Sequence, residues 1–364
     1  MIESQNIKAK ILKLVSSKKP VNFDIKNAKN VLFLRYDRIG DMVITTPVFR
    51  ELKLAHPHIK ITVLASKVNE EVLTNNPYID QIIINHKNRF FSDLPSLVKL
   101  RQQKFDVCIE FDHSVVPHAI LRLRVISPKI VISIKKDGRY GVNGNELSLY
   151  DIYSEKPKKG HFRDIWLGVL KPFNVIPKSN DYNLFINDEL IKQAQNYTKQ
   201  HYPNFLVGIN LEGAVKGKKI KFPELFKICE ELNKQDKNIQ IIILCSPNNF
   251  HETSLNVQKM ALNYVEMSYK TNRILSVAAL ISQLDLIITP DTSIVHIASA
   301  FNKPVVSIHE DNRDSYELFA PTSRLNRTVF SMSKKSLQGF SLDLLIKHCI
   351  ELINIITVSY THLR

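Results

Sequence analysis

The sequence predicts an α/β protein of two Rossmann-like domains facing across a cleft, on three observations. Two short apolar runs, Asn30 to Tyr36 and Asp285 to Thr289, each feed a polar turn and then a helix. One lies near the start of the chain and the other in its last third, and such helix starts, with their unpaired N–H groups, attract anions, diphosphates included. Strand-like and helix-like segments alternate through both halves, as a parallel sheet covered by helices requires. Finally, 364 residues exceed the usual extent of one hydrophobic core.

Residues 6–19 place Ile7, Ile11, Leu14 and Val15 on one helical face, with Lys8, Lys10, Lys13, Lys18 and Lys19 around it. A basic amphipathic helix of this kind either lies on an anionic membrane or packs on its own domain. Strand 30–36 then leads to helix 42–55, strand 60–65 to helix 67–75, and 80–84 is another strand. A helix over 93–103 precedes strand 106–111, followed by a helix near 115–124 and strand 129–134. The stretch 135–160, rich in Gly, Lys and Asn with weak periodicity, reads as a mobile loop, and a helix follows over 161–171. Pro172, Pro177 and the polar segment Lys178 to Asn183 mark a linker. The expected domains are therefore 1–175 and 176–364.

The second half repeats the pattern. Strand 205–210 enters the basic loop Glu212 to Lys221, and helix 223–234 leads to strand 239–245. Helix 252–262, a short strand near 263–266 and helix 274–283 precede strand 285–289. Helix 292–301 and strand 304–308 close the sheet. The segment 341–357 is apolar at helical spacing and predicts a packed terminal helix, one able to return to the first domain.

Hydrophobic content of 44% and charged content of 23% are those of a soluble globular protein. The net charge of +15 is uneven: residues 1–175 carry 29 Lys and Arg against 17 Asp and Glu, so the excess sits on the first half. It implies an anionic partner there, whether phosphorylated lipid, membrane surface or nucleic acid. Cys108, Cys229, Cys245 and Cys349 show no paired spacing and read as free thiols of a reducing cytoplasm. The N-terminal residues have no apolar core of a secretory signal, and no run of 18 apolar residues occurs. The expected location is cytoplasmic, with a peripheral membrane role open.

Asp41, behind Gly40 at a helix start, has two open readings: an N-cap, or a carboxylate at the C-terminal edge of a parallel sheet that takes a proton from an incoming hydroxyl. Asp291-Thr292-Ser293, with His296 one turn on, offers hydroxyl and N–H groups to a diphosphate, while Asp291 alternatively caps the helix and His296 is alternatively an interior histidine. Lys216, Lys218, Lys219 and Lys221 form either a solvated charge run or a clamp on a departing nucleoside diphosphate. Glu252 is either a ribose ligand or a surface glutamate at a helix start. Glu110, Asp112 and His113 follow a buried strand, with Arg122 and Arg124 soon after; Asp112, His113 and Arg122 are candidates to face an anionic acceptor. P-loop, metal-sugar D-x-D, G-x-S-x-G and H-E-x-x-H signatures are missing, so no metal site is expected.

The segment Val31 to Arg50, with Gly40-Asp41 and Thr45-Thr46-Pro47, and the segment Asp291 to Ile308, with His296, Ala298 and Pro304, occur in the order found in one family. Weaker blocks at Phe105 to Ser114 and His161 to Leu170 lie between them. The chain resembles the bacterial heptosyltransferases of lipopolysaccharide core assembly, glycosyltransferase family 9. The resemblance implies a GT-B fold, with the acceptor on the first domain and the nucleotide-sugar on the second, and an inverting direct displacement. It implies Asp41 as base, Asp291, Thr292 and His296 at the diphosphate, Lys219 as the phosphate-neutralising lysine and Glu252 at the ribose; Ser293 stands where the family has glycine. Lys219-Ile220-Lys221-Phe222-Pro223 replaces the family's K-x-W-P, and the glycine-proline turn after Ile308 is missing. The implied reaction moves a heptose from ADP-heptose, a co-substrate rather than a bound cofactor, to a lipid-linked lipopolysaccharide or lipooligosaccharide core at the anionic inner-membrane surface. Alternatives are a hexose donor or, in another class, a basic nucleic-acid-binding module. Against that module, the cations are not interleaved with aromatics in any recognisable motif, so no nucleic acid is expected as a partner.

Overall fold

The computed structural model describes residues 2–86, 90–157, 159–213, 217–235 and 238–361. The chain divides into two compact units, Met1–Asn183 and Leu184–Arg364. In the first, α1 (Ile2–Val15), β1 (Asn30–Leu34), α2 (Ile39–Ala55), β2 (Lys60–Ala65) and β3 (Gln81–Ile84) are followed by α3 (Phe90–Gln102), β4 (Val107–Glu110), α4 (Pro117–Ile126), β5 (Ile130–Ile134), β6 (Ile152–Ser154) and α5 (Phe162–Leu167). The six strands form one sheet in the order β3-β2-β1-β4-β5-β6, all parallel. Val31 pairs with Ile61 on one side and Val107 on the other, so β1 is central, and its unbroken apolar run is what burial on both faces demands.

The second unit contains α6 (Asp188–Lys199), β7 (Phe205–Asn210), α7 (Phe222–Gln235), β8 (Ile239–Leu244), α8 (Phe250–Lys259) and β9 (Val265–Met267). It continues with α9 (Ile274–Gln283), β10 (Leu286–Pro290), α10 (Ser293–Ala300), β11 (Val305–His309), α11 (Arg313–Phe319), β12 (Asn326–Phe330) and α12 (Leu342–Thr361). Its parallel sheet runs β12-β11-β10-β7-β8-β9. Both sheets are doubly wound, and strand order reverses between β1 and β4 in one and between β7 and β10 in the other. The crevice outside the strand ends at such a reversal is where open α/β sheets bind ligands.

Several expectations are corrected. The predicted helix 67–75 is a short 3-10 turn over Glu70–Leu73, because the buried Asn69 side chain accepts from the Ser66 N–H (2.8 Å) and donates to the Arg35 carbonyl (3.0 Å), closing the chain into turns. The stretch 135–160 is not simply a loop: β6 pairs with β5, and the Tyr153 hydroxyl donates to the Gly144 carbonyl (2.8 Å). Gly144 is required there, since a Cβ would lie 2.8 Å from that of Lys136. The second sheet is closed by β12, not by the strand over 304–308. Its edge position leaves β12 half-exposed and polar, which hides it from hydrophobic patterning. The terminal helix packs within the second unit: Leu345, Cys349, Leu352 and Ile356 of α12 lie with Ile228 and Leu232 of α7. Cys108, Cys229, Cys245 and Cys349 are free thiols. Among the described residues, no helix is long and apolar enough to cross a membrane.

The polar segment around 178–183 belongs to the first unit and is fastened by a buried ion pair. Arg50 Nε donates to Glu51 Oε1 (2.8 Å), Nη1 and Nη2 donate to the carbonyls of Asp181 and Ser179 (2.8 Å each), and Glu51 Oε2 accepts from the Lys178 N–H (2.7 Å). Removing one member strands the other charge in the interior. Arg50→Met should destabilise the first unit by about 3–5 kcal/mol, read from urea unfolding, and the further change Glu51→Leu should recover part of the loss.

Candidate active site

At the first reversal, β1 delivers Arg35 to its C-terminal edge. The guanidinium is 2% exposed and lies 3.9 Å from the Trp166 ring centroid. Nη1 donates to Asp37 Oδ2 (3.0 Å), Nη2 is 3.4 Å from Asp41 Oδ1, and Nε donates to the Asp41 carbonyl (3.4 Å). Asp41 is therefore held by a buried cation. It is not the helix cap: the N-cap of α2 is Arg38, and Asp41 lies within the first turn, where the helix dipole favours a carboxylate. Sequence reasoning missed Arg35, although a single charge inside the run 31–36 was a signal, since buried charges need partners.

β4 ends at the buried Glu110, whose Oε1 accepts from the Asp112 N–H (2.7 Å) and whose Oε2 accepts from Ser133 Oγ (2.9 Å) and pairs with Lys136. Lys136 also donates to the Asp112 carbonyl (2.7 Å). Glu110 is thus committed to shaping the loop that presents Asp112 and His113. Burial, and then the neighbouring Glu110, push the Asp112 carboxyl up to about 7. Burial and Lys156 hold His113 below the usual histidine range, and its ring lies 5.4 Å from that of Phe162. Arg122 is engaged inside the fold, over the Tyr36 ring that follows β1. It is fully buried, donating to Asn85 Oδ1 (2.6 Å) and to the carbonyls of His86 (2.7 Å) and His118 (3.2 Å), with no surface to offer a ligand.

At the second reversal, Asn210 at the end of β7 donates to Thr289 Oγ1 (2.9 Å) and to the Glu212 carbonyl (3.0 Å), which ties β10 to the following loop. Asp291 follows β10, but the cap of α10 is Thr292, whose side chain accepts from the Ile294 N–H (3.1 Å). Asp291 instead pairs with Lys218 (2.6 Å), which is also 3.5 Å from Glu310. Burial opposes ionisation of Asp291, yet His309 and Lys218 outweigh it and hold the carboxyl below its usual range. Burial pushes His309 itself down to about 4, so at neutral pH Lys218 is the cation facing Asp291.

The lysine at this turn is therefore Lys218 and not Lys219. Lys219 is exposed, with its backbone bridged to Glu212; Lys221 is also exposed, and Lys216 lies outside the described residues. Gly213 permits the approach of the two loops, since a Cβ there would lie 3.0 Å from both Lys218 Cβ and Thr292 Cγ2. Ser293 opens α10 half-exposed, and His296 is buried one turn further on. Glu252 is exposed in the first turn of α8, and the approach to that helix is fixed to the loop after β7, where the Glu212 carboxylate accepts from Ser246 N–H (2.9 Å) and Oγ (3.0 Å) and from the cap residue Asn249. Sequence reasoning also missed α11. Asn312, Ser315, Tyr316 and Phe319 line a small open pocket with Asp291, His309 and Glu310. Among the described residues no group of three His, Cys, Asp or Glu side chains is arranged to hold a metal.

The raised Asp112 carboxyl gives a signed pH effect. Between about pH 4, where an unfolded aspartate ionises, and about 7, the folded chain retains a proton that the unfolded chain has lost, so stability falls as pH rises through this window. Asp112→Asn should flatten the decline in melting temperature between pH 5 and pH 8. An unchanged decline would place the titrating group elsewhere.

Lipooligosaccharide heptosyltransferase 2 of Haemophilus influenzae (strain ATCC 51907 / DSM 11121 / KW20 / Rd) is 22% identical over 304 residues, covering 79% of this chain and 85% of that protein. A glycosyltransferase family 9 structure from Veillonella parvula DSM 2008 superposes with a TM-score of 0.75 at 20% identity, covering 92% of this chain and 99% of the other. Escherichia coli heptosyltransferase WaaC, solved with ADP-2-deoxy-2-fluoro heptose, superposes with a TM-score of 0.66 at 15% identity, covering 88% of this chain and 99% of the other. The two doubly wound sheets are accordingly those of a GT-B fold. Residues 97–338 match glycosyltransferase family 9 (heptosyltransferase), and the chain belongs to that family of glycosyltransferases.

Proposed function

We propose that the chain transfers a heptose from ADP-heptose, with inversion, to a lipid-linked core oligosaccharide at an anionic membrane surface. The observation that carries this reading is the placement of a carboxylate at one sheet reversal and a cationic, N–H-bearing turn at the other. Asp41 takes the proton of the acceptor hydroxyl as that oxygen attacks the anomeric carbon, and the nucleoside diphosphate departs from the opposite face. Charge building on the departing phosphate is met by Lys218 and by the N–H groups opening α10, with Thr292 and Ser293 at that start and His296 behind it. Glu252 is assigned to the ribose, and Asp112 and His113 to the acceptor. The likeness to WaaC, which has been solved with an ADP-heptose analogue, and to a lipooligosaccharide heptosyltransferase supports the donor and acceptor classes.

Asp112 offers a second reading of the base: it stands just past the end of β4 with its carboxyl pushed up by burial and Glu110, toward the range where a general base is most effective. Two substitutions separate the readings. With Asp41 as base, Asp41→Asn should fold, bind ADP normally and lose about 10²–10⁴-fold in kcat, whereas Asp112→Asn should chiefly raise KM for the acceptor. A larger kcat loss in Asp112→Asn would transfer the role to it.

The lysine assignment is equally testable. Lys218→Ala should lower kcat by about 10²–10³-fold, while Lys219→Ala should stay near normal. Normal turnover in Lys218→Ala would remove this lysine from the donor site. Comparing ADP-, UDP- and GDP-sugars in the same assay tests the donor, and transfer of a hexose alone would overturn the heptose reading.

A further inference from the structure

Helices α1, α3 and α4 form one layer of the first unit, with α4 in contact with each of the other two. Their inner sides supply Ala9, Leu12, Leu97, Leu100, Ile120 and Leu123 to a core shared with β1 and β4. Their outer sides are apolar where solvent would favour polar groups. On α1, Ile7, Ile11 and Leu14 are exposed, Leu14 to 76%. Three of the four apolar residues of the face legible in the sequence are thus turned outward, and Val15 joins Ala9 and Leu12 in packing on the core. On α3, Phe91, Leu94 and Val98 are exposed, Phe91 to 87%. Spacings of three, four and seven residues put each set on one side of its helix.

Among the described side chains of these helices the exposed charge has one sign. Lys8, Lys10 and Lys13, the last paired with Glu146 from outside the layer, flank the stripe of α1, Lys99 and Arg101 lie in the last turns of α3, and Arg124 is exposed on α4. Asp93 of α3 is buried, and among the described side chains of the three helices no carboxylate is exposed. A soluble surface would alternate signs and break up its apolar side chains. Here two apolar stripes lie among cations, the combination that favours an anionic interface over water or an electrically neutral partner.

We propose that the outer face of α1, α3 and α4 is a docking surface for an anionic lipid bilayer, with the stripes of α1 and α3 entering the boundary between headgroups and acyl chains. The two stripes act together, because one short amphipathic segment gives only weak, reversible binding. The inference deepens the proposed reading of a lipid-linked acceptor by naming the face that meets the lipid. Its test contains neither donor nor acceptor, so its failure would leave the transfer reading standing.

The full-length chain is sedimented with vesicles of phosphatidylethanolamine and phosphatidylglycerol, or of phosphatidylcholine alone. Binding should require the anionic lipid and weaken several-fold at high salt. Phe91→Ser with Leu94→Ser, and separately Lys8→Glu with Lys10→Glu, should each reduce partitioning by about tenfold or more while ADP affinity and melting temperature stay unchanged. Should the α3 variant alone fail to fold, Phe91→Ser alone serves in its place. Equal binding to both vesicle types, or undiminished binding by the folded α3 variant, would overturn the proposal. So would a wild-type dimer that ignores vesicles and that these variants dissociate, since a second copy would then cover the face.

Discussion

Arg35 reaches the end of β1 enclosed by Trp166 and Phe111, and a guanidinium shut off from water has to be matched locally. Asp37 and Asp41 match it, and the geometry of the first site follows from that requirement. The aromatic enclosure limits the positions open to the guanidinium, so the carboxylates that serve it are limited too. Asp41 keeps one oxygen toward Arg35 while remaining partly exposed, which suits a group that must be oriented and still reach a ligand. A helix cap would have spent the same carboxylate on backbone N–H groups, and α2 instead begins without a side-chain cap.

The second unit meets the same demand with different residues. Its reversal is closed by uncharged groups, Asn210 joining the Thr289 hydroxyl and the Glu212 carbonyl, and the charge is placed further out in the Lys218–Asp291 pair. Asp291 compensates Lys218. In the proposed reading a diphosphate would compete for the same ammonium. Glu310 lies on the other side of that ammonium, so the cation is restrained from two directions. Such restraint is what an electrostatic site requires, because donors already in place need no reorganisation when charge develops.

The alternation of strands and helices was legible because buried parallel strands are nearly pure apolar runs, as in Val31 to Leu34 and Ile239 to Leu244. The elements that escaped were edge or surface pieces: β6, β12 and α11 carry little hydrophobic period, and α6, though amphipathic, is polar on average and fully buries little besides Ala194. At the sites, the sequence marked strand ends and helix starts, the places where Asp41, Asp112 and Asp291 stand. It could not distribute partners among neighbours. Lys218 and Lys219 differ in sequence only by one position, yet the Gly213 loop turns one toward Asp291 and leaves the other in solvent. Arg122 reverses the same lesson: its residue type made it a candidate ligand, and helical phase buried it against Asn85 while exposing Arg124 two residues on.

Charge counting alone understates how cationic the first unit is on its surface. Its buried cations Arg35, Arg50, Arg122 and Lys136 lie beside Asp37 and Asp41, Glu51, Asp93 and Glu110, so those acids neutralise charge inside the fold. Lys18, Lys53, Lys129 and Lys156 take up four further acids in Asp151, Asp80, Asp106 and Asp137. The excess carried by residues 1–175 is therefore expressed at the surface, and Lys8, Lys10, Lys99, Arg101 and Arg124 of the outer helices gather part of it on one face. A field set up by a few helices is directional, and it draws an anionic plane toward one face at distances set by salt. The same acids that fix the scaffold thus decide which surface remains positive, which links the buried pairs of the interior to the partner the exterior attracts.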